Sequence, residues 1–517
     1  MDIFIFLSLD LPFIYKIHVV LGIIQKQSLK FTAVNFVGTF IGFMSVIFIY
    51  PREQELYGYF QFLFSAAMLL VPVLGLGMSS AIIKYYPIFV QKNRDRNFLS
   101  FTVALTTISA VFLTLVLGML YYLFQDYIAS VLSNFDLVKA NLQYILILTY
   151  LNLYAGIFLN QAIARYSLVI PDLIYTFSLK IFLPFIIICV YLGWLDSVWF
   201  PVYILLYYLI VMLALLVYIM YLDKHSLSPK LLSFNKAEYT ALGSFMTFSL
   251  FNGLGASLAL RLDNVMIGSM LTVNAVYIYG TILTISNVIE IPSKAINNIS
   301  SAVISSSWTN NDQANIQDIY QKSSVYGWIV GLLLFLLIYF IWIDIIALMP
   351  GKIQMELSSI LLIFTLLSFA RIIDLVTGVN SVILSYSSLY KYHMYFLIIL
   401  GIVNIVLNYF LIQRLGIAGA ALATCISYVI FNLMKYYFLK SRFGFSIHWQ
   451  PHTAILVAGL IVFVIMHVLT FSFLPVINIV LKSIITSVLF GTLILIFNPG
   501  GEIRALADSY IRKFVRK

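Results

Sequence analysis

The sequence predicts an all-α polytopic membrane protein with about 14 transmembrane helices. Hydrophobic residues make up 62% of the 517-residue chain and charged residues 10%, and the mean hydropathy is +1.01. A soluble domain carries about a quarter of its residues as charged side chains, so this composition excludes that class. The apolar residues also fall in runs of about 20, the length that crosses a hydrocarbon layer roughly 30 Å thick as a helix.

Fourteen such runs follow one another along the chain from Phe31. Arg261, Asp263 and Asn264 interrupt the sequence between the seventh and eighth runs, so a turn is predicted within 263–275. The predicted helices are 31–50, 58–80, 98–123, 142–163, 173–195, 201–222, 241–262, 265–290, 324–348, 357–383, 394–413, 417–438, 453–474 and 479–497.

The basic residues predict which side of the membrane each connection occupies. With the N-terminus placed in the cytoplasm, 23 of the 30 Lys and Arg residues fall in inside segments and 5 in outside connections. Cytoplasmic loops carry an excess of Lys and Arg, so both termini are predicted to be cytoplasmic. This basic rim also explains the formal net charge of +10, and nucleic-acid binding is not indicated. The five outside residues are Arg52, Lys139, Lys352, Arg414 and Lys482.

A weak internal repeat predicts two six-helix lobes. Asn35-x-x-Gly38 in the first helix matches Asn252-x-x-Gly255 in the seventh, and an offset of six helices preserves orientation, as a parallel repeat requires. The predicted organisation is a cytoplasmic leader (1–30), an N-terminal lobe (31–222), a cytoplasmic linker (223–240), a C-terminal lobe (241–438), two additional helices (453–497) and a basic cytoplasmic tail (498–517).

The sequence has no motif for catalysis or ATP hydrolysis. The GxxxxGK[ST], HExxH and Gly-x-Ser-x-Gly patterns do not occur, and the connections are too short to hold a domain. Cys189 and Cys425 lie far apart within predicted helices, so we expect buried thiols and no disulfide. We therefore expect a protein that is not an enzyme, without a catalytic residue, metal site or cofactor, whose function resides in the helical bundle.

Ionisable residues within the predicted helices are the first candidate functional residues. A charged side chain near the bilayer centre costs at least ~2.5–3.5 kcal/mol. Arg371 and Asp374 lie three residues apart on one face of the tenth helix and can neutralise each other; a structural pair is the alternative to the favoured cavity-lining role. Arg261 is assigned to a cavity wall. Asp263 is interpreted either as a cavity-lining residue or as a residue at the membrane interface. Lys180 could face the cavity or extend to the cytoplasmic surface.

Side-chain amides extend the candidate set. Asn252 and Asn380 are predicted to line a wet cavity, although hydrogen bonding between helices is the alternative for any single amide in a membrane. Glu290 and Lys294, four residues apart at the cytoplasmic end of the eighth helix, are predicted to form a surface ion pair.

Residues Asn404–Thr424 resemble the NxxLNxxLIPxxGxxGAAxAT pattern of bacterial polysaccharide flippases of the Wzx type, within the multidrug/oligosaccharidyl-lipid/polysaccharide exporter superfamily. Leu74–Pro87 is similar to the end of that family's second helix, Arg261–Gly268 to its seventh and Gly378–Leu384 to the end of its tenth. Gln413 stands where the family pattern has proline.

The resemblance implies two six-helix bundles in a V-shaped, MATE-like arrangement around a central cavity, with two further C-terminal helices. It implies that undecaprenyl-pyrophosphate-linked oligosaccharide is flipped from the cytoplasmic to the outer leaflet of the bacterial inner membrane by alternating access, as in O-antigen and lipopolysaccharide synthesis. Membrane lipids and the polysaccharide polymerase machinery are the other implied partners. A proton or sodium ion could be the coupling ion. Buried Arg or Lys would offset the cost of moving a pyrophosphate.

Three alternatives stay open. A cation-coupled exporter of the MATE type would be expected to have twelve helices and a carboxylate within the N-terminal lobe. A lipid II flippase would be expected to carry cations in the first helix. A membrane polysaccharide polymerase would need a large outside loop with catalytic residues.

Overall fold

The computed structural model describes residues 34–91, 97–222, 236–351 and 355–501, and every regular element in these ranges is a helix. The predicted leader, most of the predicted linker and residues 502–517 of the predicted tail lie outside the described residues. Both cysteines are buried free thiols, as predicted.

Fourteen helices of the described chain are long and apolar enough to cross a membrane, which confirms the predicted class. They are α1 (Val34–Arg52), α2 (Gln54–Gly75), α3 (Phe98–Val131), α4 (Phe135–Ala164), α5 (Val169–Tyr191), α6 (Ser197–Leu222), α7 (Glu238–Met270), α8 (Val273–Thr309), α9 (Gln313–Leu348), α10 (Leu357–Val376), α11 (Lys391–Leu415), α12 (Ile417–Phe443), α13 (Trp449–Val468) and α14 (Pro475–Phe497). Short helices at Met78–Gln91 and Asn380–Tyr386 follow α2 and α10.

The break between α7 and α8 is set by Thr272. Its backbone is extended, and its side-chain oxygen accepts a hydrogen bond from the backbone N–H of Ala275, which caps α8. The break lies within the predicted interval 263–275. However, α7 continues to Met270, beyond the predicted end at 262, so Asp263 lies inside the helix.

The connection between α8 and α9 is much shorter than predicted. The segment 294–322, predicted to be an inside connection, is mostly helical, because α8 continues to Thr309 and α9 begins at Gln313. Asp312 caps α9 by accepting a hydrogen bond from the backbone N–H of Asn315. Hydropathy detects only the apolar part of each helix, so it missed the polar turns rich in Ser and Asn.

Two helices depart from regular α geometry where polar residues cluster. In α5, a π-helical stretch at Leu173–Phe177 separates the α-helical segments Val169–Asp172 and Ser178–Tyr191. In α8, a 3₁₀ turn at Asn287–Glu290 precedes Pro292. Such irregular turns within long helices often mark functional positions.

The described chain forms two compact units. The first comprises 34–49, Leu70–Leu123 and Leu142–Leu250. The second comprises Tyr50–Leu69, Phe124–Asn141 and the described residues from Phe251 onward. The division into two six-helix lobes stays a prediction.

Each unit contains one copy of the predicted repeat motif at a close helix contact. In the first unit, Gly38 of α1 packs on α5: a Cβ at Gly38 would lie 2.9 Å from the Phe177 ring and 3.0 Å from the Lys180 stem. In the second unit, Gly255 of α7 packs on α11, where a Cβ would lie 2.8 Å from Leu397 Cβ. Gly38 of α1 thus contacts α5 and Gly255 of α7 contacts α11, so the contacted helices are also separated by six positions in the helix order.

The two C-terminal helices pack on α9 within the second unit. Their buried core joins Leu332 and Leu336 of α9 to Ile455, Ala458 and Val462 of α13 and to Phe490 and Ile494 of α14. Gly459 permits the closest approach, since a Cβ there would lie 2.5 Å from Leu332.

Gly419 near the start of α12 gives a test of the packing of α12 against α11. A Cβ at Gly419 would lie 2.1 Å from the carbonyl oxygen of Leu411 in α11, so we expect Gly419→Val to cost at least the ~1–3 kcal/mol typical of overpacking. Thermal unfolding of the purified protein would measure the loss. Gly491→Val is the control, because a Cβ at Gly491 meets nothing within 4 Å. Equal stability of the two variants would contradict the packing.

Cysteine labelling tests the predicted orientation. Ser133, in the turn between α3 and α4, and Asn310, in the turn between α8 and α9, are both exposed. We expect an impermeant maleimide to label Ser133→Cys in intact cells, and to label Asn310→Cys only after the membrane is opened. The reverse pattern would overturn the orientation and the direction of transport.

Candidate functional site

A cavity of about 310 Å³ lies within the second unit, between α7, α8, α10, α11 and α12. Its size is at the lower end of the ~300–1,000 Å³ typical of small-molecule pockets. The polar side chains that line it are Asn252, Glu290, Arg371, Asp374, Ser381, His393 and Tyr428.

Arg371 of α10 is the best-fixed polar group of the cavity wall. Its side chain is 5% exposed. Its Nε donates a hydrogen bond to Asn287 Oδ1 (3.1 Å) and its Nη1 to the Tyr428 hydroxyl (2.8 Å), and Nε lies 3.7 Å from Glu290 Oε2. The guanidinium therefore joins α10 to α8 and α12.

The 3₁₀ turn of α8 places both α8 partners of Arg371. Residues three apart in a 3₁₀ turn are eclipsed on one side of the helix, so Asn287 and Glu290 both face the guanidinium. Glu290 also lies 3.6 Å from Lys294. The predicted surface pair is therefore extended by Arg371, which links it to the cavity wall.

A second ion pair joins Asp374 of α10 to Lys435 of α12. Lys435 is 0% exposed and its Nζ lies 3.4 Å from Asp374 Oδ1. The same Nζ donates to Ser381 Oγ (2.9 Å) and lies 4.0 Å from the centre of the Phe431 ring. Burial of an ammonium is tolerated here because a carboxylate, a hydroxyl and an aromatic face surround it.

The predicted pairing of Arg371 with Asp374 is wrong. The two side chains lie on the same wall of the cavity, but Arg371 pairs with Glu290 and Asp374 pairs with Lys435. Spacing along one helix predicted a local pair, whereas acidic and basic groups on neighbouring helices lie closer.

Of the other predicted site residues, one lies in this cavity. Asn252 of α7 lines it together with Arg371 and Asp374. Asn380 is buried at 1% exposure and its Nδ2 lies 3.4 Å from Asn432 Oδ1 on α12, so its contact joins helices.

Asp263 lies outside the cavity in a separate buried network, at 8% exposure. Its carboxylate accepts hydrogen bonds from Asn408 Nδ2 (2.9 Å), Thr424 Oγ1 (2.6 Å) and the Tyr279 hydroxyl. Asn404 completes the network by donating to Thr424 Oγ1 (3.2 Å) and accepting from Asn408 Nδ2 (3.0 Å). Asn404, Asn408 and Thr424 of the motif therefore lie around Asp263, and with Tyr279 of α8 the network joins α7, α8, α11 and α12.

Arg261 and Lys180 also lie away from this cavity. The Arg261 guanidinium lies 5.0 Å from the centre of the Phe64 ring in the second unit. Lys180 belongs to the first unit and lies beside Gly38 of α1. In the same unit, Asn35 of α1 donates to Asp172 of α5 (3.3 Å), a carboxylate within the N-terminal half that the sequence analysis had not singled out.

Sequence reasoning missed two buried lysines. Lys435 was assigned to the cytoplasmic rim and Lys482 to an outside connection, yet Lys435 is buried and Lys482 largely buried, each in a helix beside a carboxylate. Their positions a turn or more inside the apolar runs were the available signal. No group of three or more His, Cys, Asp or Glu side chains in the described ranges could hold a metal ion.

No protein-family model matches the chain, and no curated protein matches it significantly in sequence. Its fold is similar to that of the lipid II flippase MurJ in an inward closed conformation, with a TM-score of 0.69 and 17% identity over 90% of this chain and 98% of that one.

Two MATE structures are also similar. An inward-facing multidrug resistance MATE family transporter of the MOP superfamily has a TM-score of 0.56 and 15% identity, over 78% of this chain and 94% of its own. A MATE protein in complex with MaL6 has a TM-score of 0.51 and 16% identity, over 81% and 95%. The chain therefore has the membrane-transporter fold that MurJ and the MATE transporters share.

Proposed function

We propose that the protein flips undecaprenyl-pyrophosphate-linked oligosaccharide from the cytoplasmic to the outer leaflet of the bacterial inner membrane by alternating access. The observation that carries the proposal is the charged cavity within the helical bundle of a transporter fold. The resemblance of Asn404–Thr424 to the Wzx-type pattern supports the choice of cargo.

The energetic cost of the cavity supports a polar cargo. Arg371, Glu290, Asp374 and Lys435 are four ionisable side chains within or at the ends of membrane helices, and each costs free energy on insertion. A wall needed only for packing would not require these charges, because replacing buried ion pairs by apolar residues is often neutral or stabilising. A hydrated head group that must cross the hydrocarbon layer gives these charges a function.

In this proposal the protein shields the sugar head group while the polyprenyl tail stays in the bilayer. Arg371 fixes α8, α10 and α12 around the cavity, and Asp374 and Asn252 offer hydrogen-bonding groups to the cargo. The polymerase that consumes the flipped repeat unit is the partner expected on the outer face.

A small-molecule exporter is the second candidate. Glu290 and Asp374 are 23% and 29% exposed, and such carboxylates also suit an organic cation. Lipid II is a third possible cargo, by analogy with the fold of MurJ.

Gene deletion in the host separates these candidates. We expect loss of surface polysaccharide, accumulation of undecaprenyl-pyrophosphate-linked repeat units, and restoration of both by a plasmid copy. Normal polysaccharide with increased sensitivity to cationic drugs would instead identify an exporter. Arrest of peptidoglycan synthesis would identify lipid II as the cargo.

A further inference from the structure

The cavity wall presents its acidic groups and covers its basic groups. Glu290 and Asp374 are 23% and 29% exposed, whereas Arg371 and Lys435 are 5% and 0% exposed. A ligand in the cavity therefore meets carboxylate oxygens first.

Both basic groups also make hydrogen bonds within the wall. Lys435 Nζ lies near Asp374 and Ser381 and against the Phe431 ring. Arg371 uses Nε on Asn287 and Nη1 on Tyr428. These cations hold the wall in shape and, at 5% and 0% exposure, are largely covered from a ligand.

The carboxylates retain open acceptor sites. An ionised carboxylate has about four lone-pair sites. Asp374 accepts one long hydrogen bond, at 3.4 Å from Lys435, and Glu290 has only ion contacts, at 3.6 and 3.7 Å. The two more exposed charged groups of the wall are therefore hydrogen-bond acceptors, which take donors from a ligand. Phosphate, sulfate and carboxylate groups bring acceptors and negative charge, so the two partly exposed carboxylates would repel an anion.

The charges in the wall balance. Arg371 and Lys435 offset Glu290 and Asp374 one for one, and Lys294 at the edge is 68% exposed. No negative excess favours a cationic ligand. An uncharged ligand with several hydroxyl donors fits both the polarity and the charge.

We propose that this cavity binds an uncharged sugar residue through its hydroxyl groups, with Asp374 and Glu290 as the acceptors. The inference rests on the proposed function and deepens it: the cavity selects the sugar part of the lipid-linked cargo and does not hold its pyrophosphate. Arg371 and Lys435 are positioning residues that hold the two carboxylates in place.

Saturation-transfer NMR on the purified protein in nanodiscs tests this specificity. The probes are methyl glucoside, glucuronate and glucosamine, with inorganic pyrophosphate as a competitor. We expect a signal from methyl glucoside that pyrophosphate does not displace, and weaker signals from the two charged sugars. A signal from glucuronate or glucosamine alone, displacement by pyrophosphate, or no methyl glucoside signal at high concentration would overturn the proposal.

Variants locate the binding. Asp374→Asn and Glu290→Gln should each weaken methyl glucoside binding about tenfold or more, as expected for loss of a hydrogen bond to a charged group. Asp374→Asn leaves the buried Lys435 ammonium without its carboxylate. The double variant Asp374→Asn with Lys435→Met therefore gives the same test without an unpaired buried charge. Asp344→Asn with Lys482→Met is the matched control: it removes a buried ion pair remote from the cavity lining and should leave binding unchanged. Full binding in the cavity variants would refute the assignment.

Together with the gene-deletion experiment, the binding measurements test the flippase function and the sugar-binding cavity separately. If polysaccharide export requires the gene but the cavity binds pyrophosphate or an acidic sugar, only the assignment of the cavity fails. If the cavity binds methyl glucoside through Asp374 but the deletion leaves export intact, the flippase function fails and the binding site stands.

Discussion

Arg371→Ala should abolish export of surface polysaccharide while the protein still inserts and accumulates. The substitution removes the hydrogen bonds to Asn287 and Tyr428 and the ion contact to Glu290, so three helices lose their common contact at the cavity. Arg371→Lys should restore export only in part, because an ammonium can pair with Glu290 but lacks the planar fork that serves all three partners. Export is measured at matched protein levels.

The charge partner of Arg371 provides the control. If Arg371 served only to neutralise Glu290, then Arg371→Met with Glu290→Gln would restore export, since removing both members of an ion pair relieves the unpaired charge. We expect export to stay low in this double variant, because Glu290 is itself an acceptor for the cargo. Near-normal export in Arg371→Ala, or recovery in the double variant, would contradict a role in the cavity.

Lys482→Met should destabilise the second unit by about 3–5 kcal/mol, the cost of leaving one buried charge without its partner. Lys482 Nζ donates to Asp344 Oδ2 (2.6 Å) and to the carbonyl oxygen of Phe340 (3.1 Å), and Asn478 Nδ2 donates to Asp344 Oδ1 (3.0 Å). Asp344 and Lys482 are 6% and 14% exposed. These contacts join α14 to α9.

Removing both members of the pair should restore the stability that Lys482→Met loses. Asp344→Leu with Lys482→Met replaces the whole pair by apolar groups and should unfold at close to the parent temperature. Thermal unfolding in one detergent compares the three proteins. A single variant as stable as the parent would show that the pair contributes little. A double variant no more stable than Lys482→Met would show that the loss does not come from the unpaired Asp344 charge.

Hydropathy and charge were sufficient to predict the helices. The fourteen membrane helices and the break before α8 follow from runs of apolar residues and from the polar group at 261–264. Helix ends were less predictable, because polar turns such as those at the end of α8 stay helical beyond the apolar run. Asp263 was placed near a helix end for the same reason. It lies within α7, where hydroxyl and amide groups satisfy its carboxylate.

The candidate site was predicted only in part. Arg371, Asp374 and Asn252 were identified because charges and amides are rare in membrane helices, and all three line the cavity. Their partners could not be found in this way. Lys435 pairs with a carboxylate 61 positions away, and the position of Glu290 depends on a 3₁₀ turn in α8. Spacing within one helix carries no information about such contacts.

Reconstitution tests the central claim most directly. The purified protein would be placed in liposomes containing undecaprenyl-pyrophosphate-linked oligosaccharide, and a glycosidase added outside would report how fast the sugar reaches the outer leaflet. We expect the protein to accelerate this appearance, Arg371→Ala to remove the acceleration, and Asp344→Leu with Lys482→Met to retain it. Appearance at the rate of protein-free liposomes, with active export of an organic cation by the same preparation, would contradict the account.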